Sequence, residues 1–294
     1  MMNQTSRTER IVIGVVMGIV CALCVLPIIA IISISISDGK QLIMDGYSLL
    51  PRGFSLEGYK YIFRDMGSIL RAYYVSIVTT AVGTALGLVL NSMFAYVLSR
   101  RTYRYRKFLV LFLTIPMVLN SGLVPFYIWV TKYLKMKDTW AVLILPTVVV
   151  PWYIIMLRTF FTQIPYDLSE SAIIDGAGEF RIFWQIIVPL AKPALATVGM
   201  FLALHYWNSW YHPMLFIEDK SLINLQYKLY KMMADIMETM RSIAQSGLSI
   251  SLADMPTDSM RMAMCLIAAG PMLVVFPFFQ KYFVKGLTVG GVKG

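Results

Sequence analysis

The sequence predicts an all-α, polytopic membrane protein with six transmembrane helices, and three observations predict it. Hydrophobic residues fill 58% of the 294 positions and charged residues only 14%, against about 25% charged in soluble domains. The mean hydropathy is +0.67. The apolar residues gather into runs long enough to cross a bilayer, which takes roughly 20 helical residues. The basic residues are sorted between the connections, as membrane topology requires.

The runs fall at about 11–35, 69–98, 108–131, 139–160, 182–217 and 262–284. The first follows Arg7 and Arg10, is long for a secretory core and lacks a small-residue cleavage site, so it reads as a retained signal-anchor. The segment 36–68 balances four basic against four acidic residues, and Ser55 is placed to cap a short helix. Span three carries Pro116, Asn120, Ser121, Gly122 and Pro125; span four carries Pro146 and Pro151; span five carries Pro189 and Pro193. Each proline frees a backbone carbonyl that a neighbour or cavity water must satisfy. The run 182–217 exceeds one crossing, so it is expected to tilt, kink or project. The loop 218–259 holds Leu225, Leu229, Met232, Ile236 and Met240 at helical spacing, which reads as a helix lying against the bundle or as a docking surface.

The net charge of +10 reflects topology rather than nucleic-acid binding. Arg7 and Arg10, the acid-free turn Arg100, Arg101, Arg104, Arg106 and Lys107, and the tail Lys281, Lys285 and Lys293 fall on one side of a six-crossing chain. That side is assigned to the cytoplasm, with both termini, in a cell membrane. Lys132, Lys135 and Lys137 dissent, since this topology puts them outside. Cys21 and Cys24 form a CxxC inside a span and, with Cys265, read as small packing residues rather than a metal or redox site.

Between spans four and five the polar segment 165–180 interrupts two apolar runs. Asp167 or Ser169 is placed to cap a helix, Glu170 suits its first turn, and Gly176 and Gly178 suit its end. The segment joins span five directly, so a force on it would act as on a lever. Asp167, Glu170, Asp175 and Glu179 make it acidic on an otherwise basic face.

The chain contains no G-x-x-x-x-G-K-[ST] loop to cradle phosphates, and its spans nearly lack the acids an ion-driven carrier buries. Energy is therefore expected from outside the chain. Near the end of span five, His205, Asn208, Ser209 and His212 recur at i, i+3, i+4 and i+7, flanked by Tyr206, Trp207, Trp210 and Tyr211. Amides, imidazoles and aromatic faces suit a sugar. Aromatic residues also gather at membrane interfaces as anchors. Asn120 and Ser121 add polar groups beside the span-three kink.

Glu170, Ser171 and Ala172, then Gly176, then Ile186, Val188 and Pro189 stand in the register E-A-A, three residues, G, nine residues, I-x-L-P, with Ser and Val as mild departures. This resembles the cytoplasmic loop of ATP-binding cassette (ABC) importer permeases. The tract Tyr206–Trp210 and the tail from Gln280 to Gly294 are similar to carbohydrate-uptake permeases of the MalG type, LplC/YtcP subgroup. The resemblance implies a single permease domain over 1–294 with a type I importer fold of six helices and a cytoplasmic coupling helix. In it Asp167, Glu170, Ser171, Ala172, Asp175, Gly176, Ile186 and Pro189 would meet the ATPase. It implies no cofactor in this chain, ATP and Mg being bound by two partner ATPase subunits. It further implies a second, different permease subunit, an external solute-binding protein and an oligosaccharide substrate from plant or algal polysaccharide. A permease for a peptide or amino acid, and a membrane-embedded enzyme, are the competing readings; the latter lacks the paired intramembrane acids or nucleophile motif it would need.

Overall fold

The computed structural model describes residues 7–119, 122–246 and 257–290. Among the described residues the fold is helical, with no strand beyond an isolated antiparallel bridge between Ser37 and Phe54. Three helical stretches are long and apolar enough to span a membrane alone: Thr8–Ser35, Glu57–Ser99 and Asp258–Pro277. Three bent pairs are long and apolar enough only when taken together, and bring the number to six if each pair is one span: Arg106–Val118 with Leu123–Tyr133, Trp140–Thr147 with Pro151–Phe161, and Glu179–Leu190 with Lys192–Trp207. The chain divides into two compact units, 1–68 with 229–271 and 69–228 with 272–294.

In the first unit, α1 (Arg7–Ser35) leaves its apolar side chains about half exposed along its length, such as Ile13 at 55% and Leu23 at 62%. That is the surface a helix offers to lipid or to another helix. Cys21 and Cys24 lie on it, and Cys265 is also exposed, so none of the three fills a gap inside this chain. Asp38 starts α2 (Gly39–Asp45) by accepting from the Lys40 and Gln41 amides at 2.9 and 3.1 Å. Leu56, not Ser55, takes the N-cap position of α3 (Glu57–Ile62), with no side-chain cap; Ser55 Oγ, one residue earlier, accepts from the Glu57 amide at 3.3 Å. A Cβ on Gly58 would stand 3.1 Å from the Met260 backbone nitrogen, so α3 lies close on the chain there.

In the second unit, α4 (Met66–Ser99) carries Gly83, Gly87 and Asn91 on one face. A Cβ on Gly83 would lie 2.5 Å from the Tyr206 ring, and one on Gly87 3.2 Å from the Val148 carbonyl. Small residues let neighbouring segments reach the helix backbone. Asn91, fully buried, donates to the Gly87 and Val148 carbonyls at 2.6 and 2.7 Å and accepts from the Val150 amide at 2.9 Å. Those groups lie where span four breaks by 49° between α7 (Trp140–Ile144, after α5, Arg106–Val118, and α6, Leu123–Ile128) and α8 (Pro151–Phe161). The bend frees backbone groups in the membrane, and Asn91 supplies their partners.

Two apolar cores follow one another along α4 and meet where the Tyr206 hydroxyl of the first donates to the Ile144 carbonyl of the second at 2.8 Å. One packs Ala95, Tyr96 and Leu98 against Ile154, Leu157, Phe161, Ile182, Phe183 and Ile187. The other packs Val75 against Val130, Val142–Ile144, Phe216 and Ile217. Beside the second core, the Asp138 carboxylate accepts from the Glu218 and Asp219 amides at 2.6 and 2.9 Å, and Lys137 pairs with Glu218. Part of the dissenting basic loop thus has an acidic partner.

Candidate functional site

Pro165 follows the end of span four, and α9 (Asp167–Ile174) begins two residues later. No side-chain cap starts it, contrary to the expectation for Asp167 or Ser169. The Ser169 and Glu170 amides instead donate to the Tyr166 carbonyl at 2.8 and 3.0 Å, and Ser169 turns inward at 2% exposed. Asp167 and Glu170 occupy the first turn, where the helix dipole favours them. The helix ends through paired bonds: the Ala177 amide donates to the Ala172 carbonyl at 2.8 Å, and the Gly176 amide to the Ile173 carbonyl at 3.0 Å. This closure needs a left-handed residue, and Gly176 supplies φ +79°.

After Gly178 the chain re-enters helix at α10 (Glu179–Ile182), widens to a π turn over Phe183–Ile187, and continues as α11 (Val188–Leu190). The π turn ends two residues before Pro189, which can neither donate to the carbonyl four residues back nor sit close to it. From there α12 (Lys192–Trp207) departs at 85° to Glu179–Leu190. The long fifth segment is therefore an elbow, not a rod.

The segment has two faces. Ala172, Ala177, Ile186 and Val188 pack on the core beneath it. Ser171, where the resembled motif has Ala, is exposed, with its hydroxyl bonded to the Asp167 carbonyl at 2.9 Å, so the departure disturbs no packing. The outer face carries Leu168 at 46% exposed, Ile173 at 46%, Ile174 at 80% and Phe180 at 67%, among the exposed carboxylates of Asp167, Glu170 and Asp175. The carboxylates were visible in the sequence as an acidic knob. The apolar members were not, because their side of the helix is set only by packing.

Beneath the segment lies a contact that sequence reasoning missed. Arg100, 9% exposed at the end of α4, donates from Nε and Nη2 to Glu179 Oε2 at 3.0 and 2.7 Å, and the Tyr96 hydroxyl donates to the same oxygen. The guanidinium stacks 5.0 Å from the Tyr96 ring centroid and 5.8 Å from that of Tyr166. Arg100 therefore holds both the entry to α9, at Tyr166, and its exit, at Glu179. Partial burial of Glu179 works against its charge, but the Tyr96 and Arg100 hydrogen bonds outweigh this and hold its carboxyl below the usual range. Arg158 Nε donates to the Leu98 carbonyl at 3.2 Å, fastening α8 to the same helix end. Glu179 thus belongs to an internal lock rather than to the outward acidic set.

The residues expected near a solute do not form one helical face. α12 stops at Trp207, Asn208 closes it by donating its amide to the Leu204 carbonyl at 3.0 Å, and α13 (Tyr211–Phe216) starts anew. His212 turns to the Phe126 ring at 5.8 Å. Tyr206 and Trp207 are 2% and 3% exposed, and the Tyr206 hydroxyl donates to the Ile144 carbonyl at 2.8 Å, so both pack the interior here and present no surface to a solute. His205, Asn208 and Trp210 are exposed; Ser209 is half-buried, its carbonyl accepting from Asn224 Nδ2. Asn120 and Ser121 lie outside the described residues. In α14 (Leu225–Ser246) the apolar stripe is the buried face: Leu225, Leu229 and Ile236 are each under 7% exposed.

Comparison with known proteins agrees with this architecture. Residues 83–289 match the family described as binding-protein-dependent transport system inner membrane component. The chain is 36% identical to the protein LplC of Bacillus subtilis (strain 168), over 95% of this chain and 92% of that one. It is 35% identical to the polygalacturonan/rhamnogalacturonan transport system permease protein YtcP of the same strain, over 92% and 93%. It also resembles a chain in the crystal structure of a bacterial ABC transporter involved in the import of the acidic polysaccharide alginate, with a TM-score of 0.78 and 28% identity over 95% and 98%. The protein belongs to the family of inner-membrane components of binding-protein-dependent transport systems, and is a non-catalytic ABC transporter permease whose class works with a partner permease, ATPase subunits and a solute-binding protein.

Proposed function

We propose that the chain is one half of the translocation path of an ATP-driven oligosaccharide importer, paired with a different permease, with α9 as the handle its ATPase grips. The observation that carries this reading is the two-faced α9: apolar and acidic outward, locked inward to spans two and five through Arg100 and Glu179. Closure of the ATPases would displace α9, and the lock passes that displacement to the end of α4 and the start of α10. The basic turn 100–107 and the segment 165–180 lie at one end of the second unit, which supports a cytoplasmic placement for both.

Ile174→Asp and Phe180→Asp are expected to weaken ATPase association by about 2 kcal/mol each, roughly thirtyfold. Thermal stability should stay unchanged, because both side chains are mostly exposed. Co-purification of the ATPase with each variant, alongside uptake, checks this; full association and uptake in both variants would remove α9 as the docking site. Replacing Glu170–Gly176 with a flexible Gly-Ser stretch should abolish uptake.

The solute class rests on the relatives, whose names include polygalacturonan, rhamnogalacturonan and alginate. His205, Asn208 and Trp210 are the proposed contacts on this chain, together with Ser209 and, in span three, Asn120 and Ser121. Uptake of a panel of oligogalacturonides, neutral oligosaccharides and peptides tests the assignment, and transport of the peptides alone would overturn it.

A further inference from the structure

A cavity of about 230 Å³ opens between the end of α4, the basic turn after it, the start of α5, the end of α8 and the start of α9. Its walls include Arg100, Arg101, Arg106, Ser99, Gln163 and Tyr166. A pocket for a drug-sized ligand holds roughly 300–1,000 Å³, so this one suits a small headgroup.

Its charge is unbalanced. Arg100 is neutralised by Glu179. Among the described residues no carboxylate lies within 4 Å of Arg101 or Arg106. A half-enclosed space with two uncompensated guanidiniums and a third, buried one in its wall is built for an anion. The forked donors of arginine match the oxygens of a phosphate. Tyr166, Ile164 and Pro165 also line the cavity, beside that polar centre.

We infer that this cavity binds a phosphate group, carried by an anionic lipid headgroup or by a soluble phosphate ester, between Arg101 and Arg106. An occupant touches both the basic turn and the start of α9, so it bears on how freely α9 moves. The cavity is formed by this chain alone, so the inference stands apart from the reading of α9 as a handle.

The test uses purified full-length permease in neutral detergent. The probes are phosphatidylglycerol, phosphatidylcholine as the zwitterionic control, glycerol phosphate and inorganic phosphate. Thermal melting and native mass spectrometry read binding. Saturable stabilisation by phosphatidylglycerol alone supports the inference with lipid as source; stabilisation by the soluble phosphates as well supports it with a free ester. Arg101→Gln with Arg106→Gln should weaken that binding about tenfold or more. Arg104→Gln with Lys107→Gln, equal in charge but outside the cavity wall, should leave it within about twofold. Gln163→Trp, which fills the space without changing charge, should abolish binding and covers the case in which the arginine pair fails to insert. Equal weakening by both charge pairs would reduce the effect to diffuse surface charge and overturn the site, as would the absence of saturable binding by any phosphate probe.

Discussion

Gly176 has open space where a Cβ would go, yet its φ of +79° makes any side chain strained. Gly176→Ala should therefore cost about 1–2 kcal/mol in the turn that ends α9. Gly178, also with open space and at φ −72°, should accept alanine with little change in uptake. Equal loss in both variants would point to a steric rather than a conformational need. The Arg100–Glu179 pair is asymmetric, with side chains 10% and 59% exposed. Glu179→Gln strands a buried guanidinium and should lower stability by about 2 kcal/mol, less than the 3–5 typical of a fully buried pair. Arg100→Met leaves a carboxylate that water reaches and should cost less; the reverse order in melting experiments would mean that the aromatic rings, not the carboxylate, hold the guanidinium. Because the Glu179 carboxyl is depressed in the fold, the stability it contributes is present above the ordinary value near 4 and is lost as pH falls through the folded value. The Glu179→Gln protein should lack that acid-side loss.

At the level of elements, the motif register was legible because backbone geometry dictates it. Ala172 needs to be small where it meets the core, Gly176 needs a left-handed turn, and Pro189 needs a place where helix hydrogen bonding is already broken. The lock was not legible, since Arg100 and Glu179 are 79 positions apart and Arg100 reads in the sequence as one more topology charge. The break after Trp207 was equally hidden, with neither Pro nor Gly at 208–210 to announce it. Asn91 left a readable sign, an amide in the middle of an apolar run. Asn91→Leu should leave the Val150 amide and Val148 carbonyl unpaired, at about 1–3 kcal/mol each. Its measurable consequence is a lower melting temperature in detergent. Unchanged melting would mean that water or another group reaches the span-four bend.

For the chain as a whole, the alternation of ends is visible through spans two to five of the second unit. The turn 100–107 meets the segment 165–180, and the loop 132–138 meets residues 216–219. Which end faces the cytoplasm rests on charge. In a background with Cys21, Cys24 and Cys265 replaced, a cysteine at Arg104 should react with a membrane-impermeant maleimide only after the cell is opened. One at Lys132 should react in intact cells; the opposite pattern would invert the orientation.

The elbow at Ala191 has a mechanical corollary. Two arms set at 85° turn a motion through nearly a right angle, as a bell-crank does. A tug that slides α9 and α10 sideways at one end of the crank would reach His205 and Asn208, at the far end of α12, rotated onto another axis. A stroke of the motor need not point along the pore in order to open it.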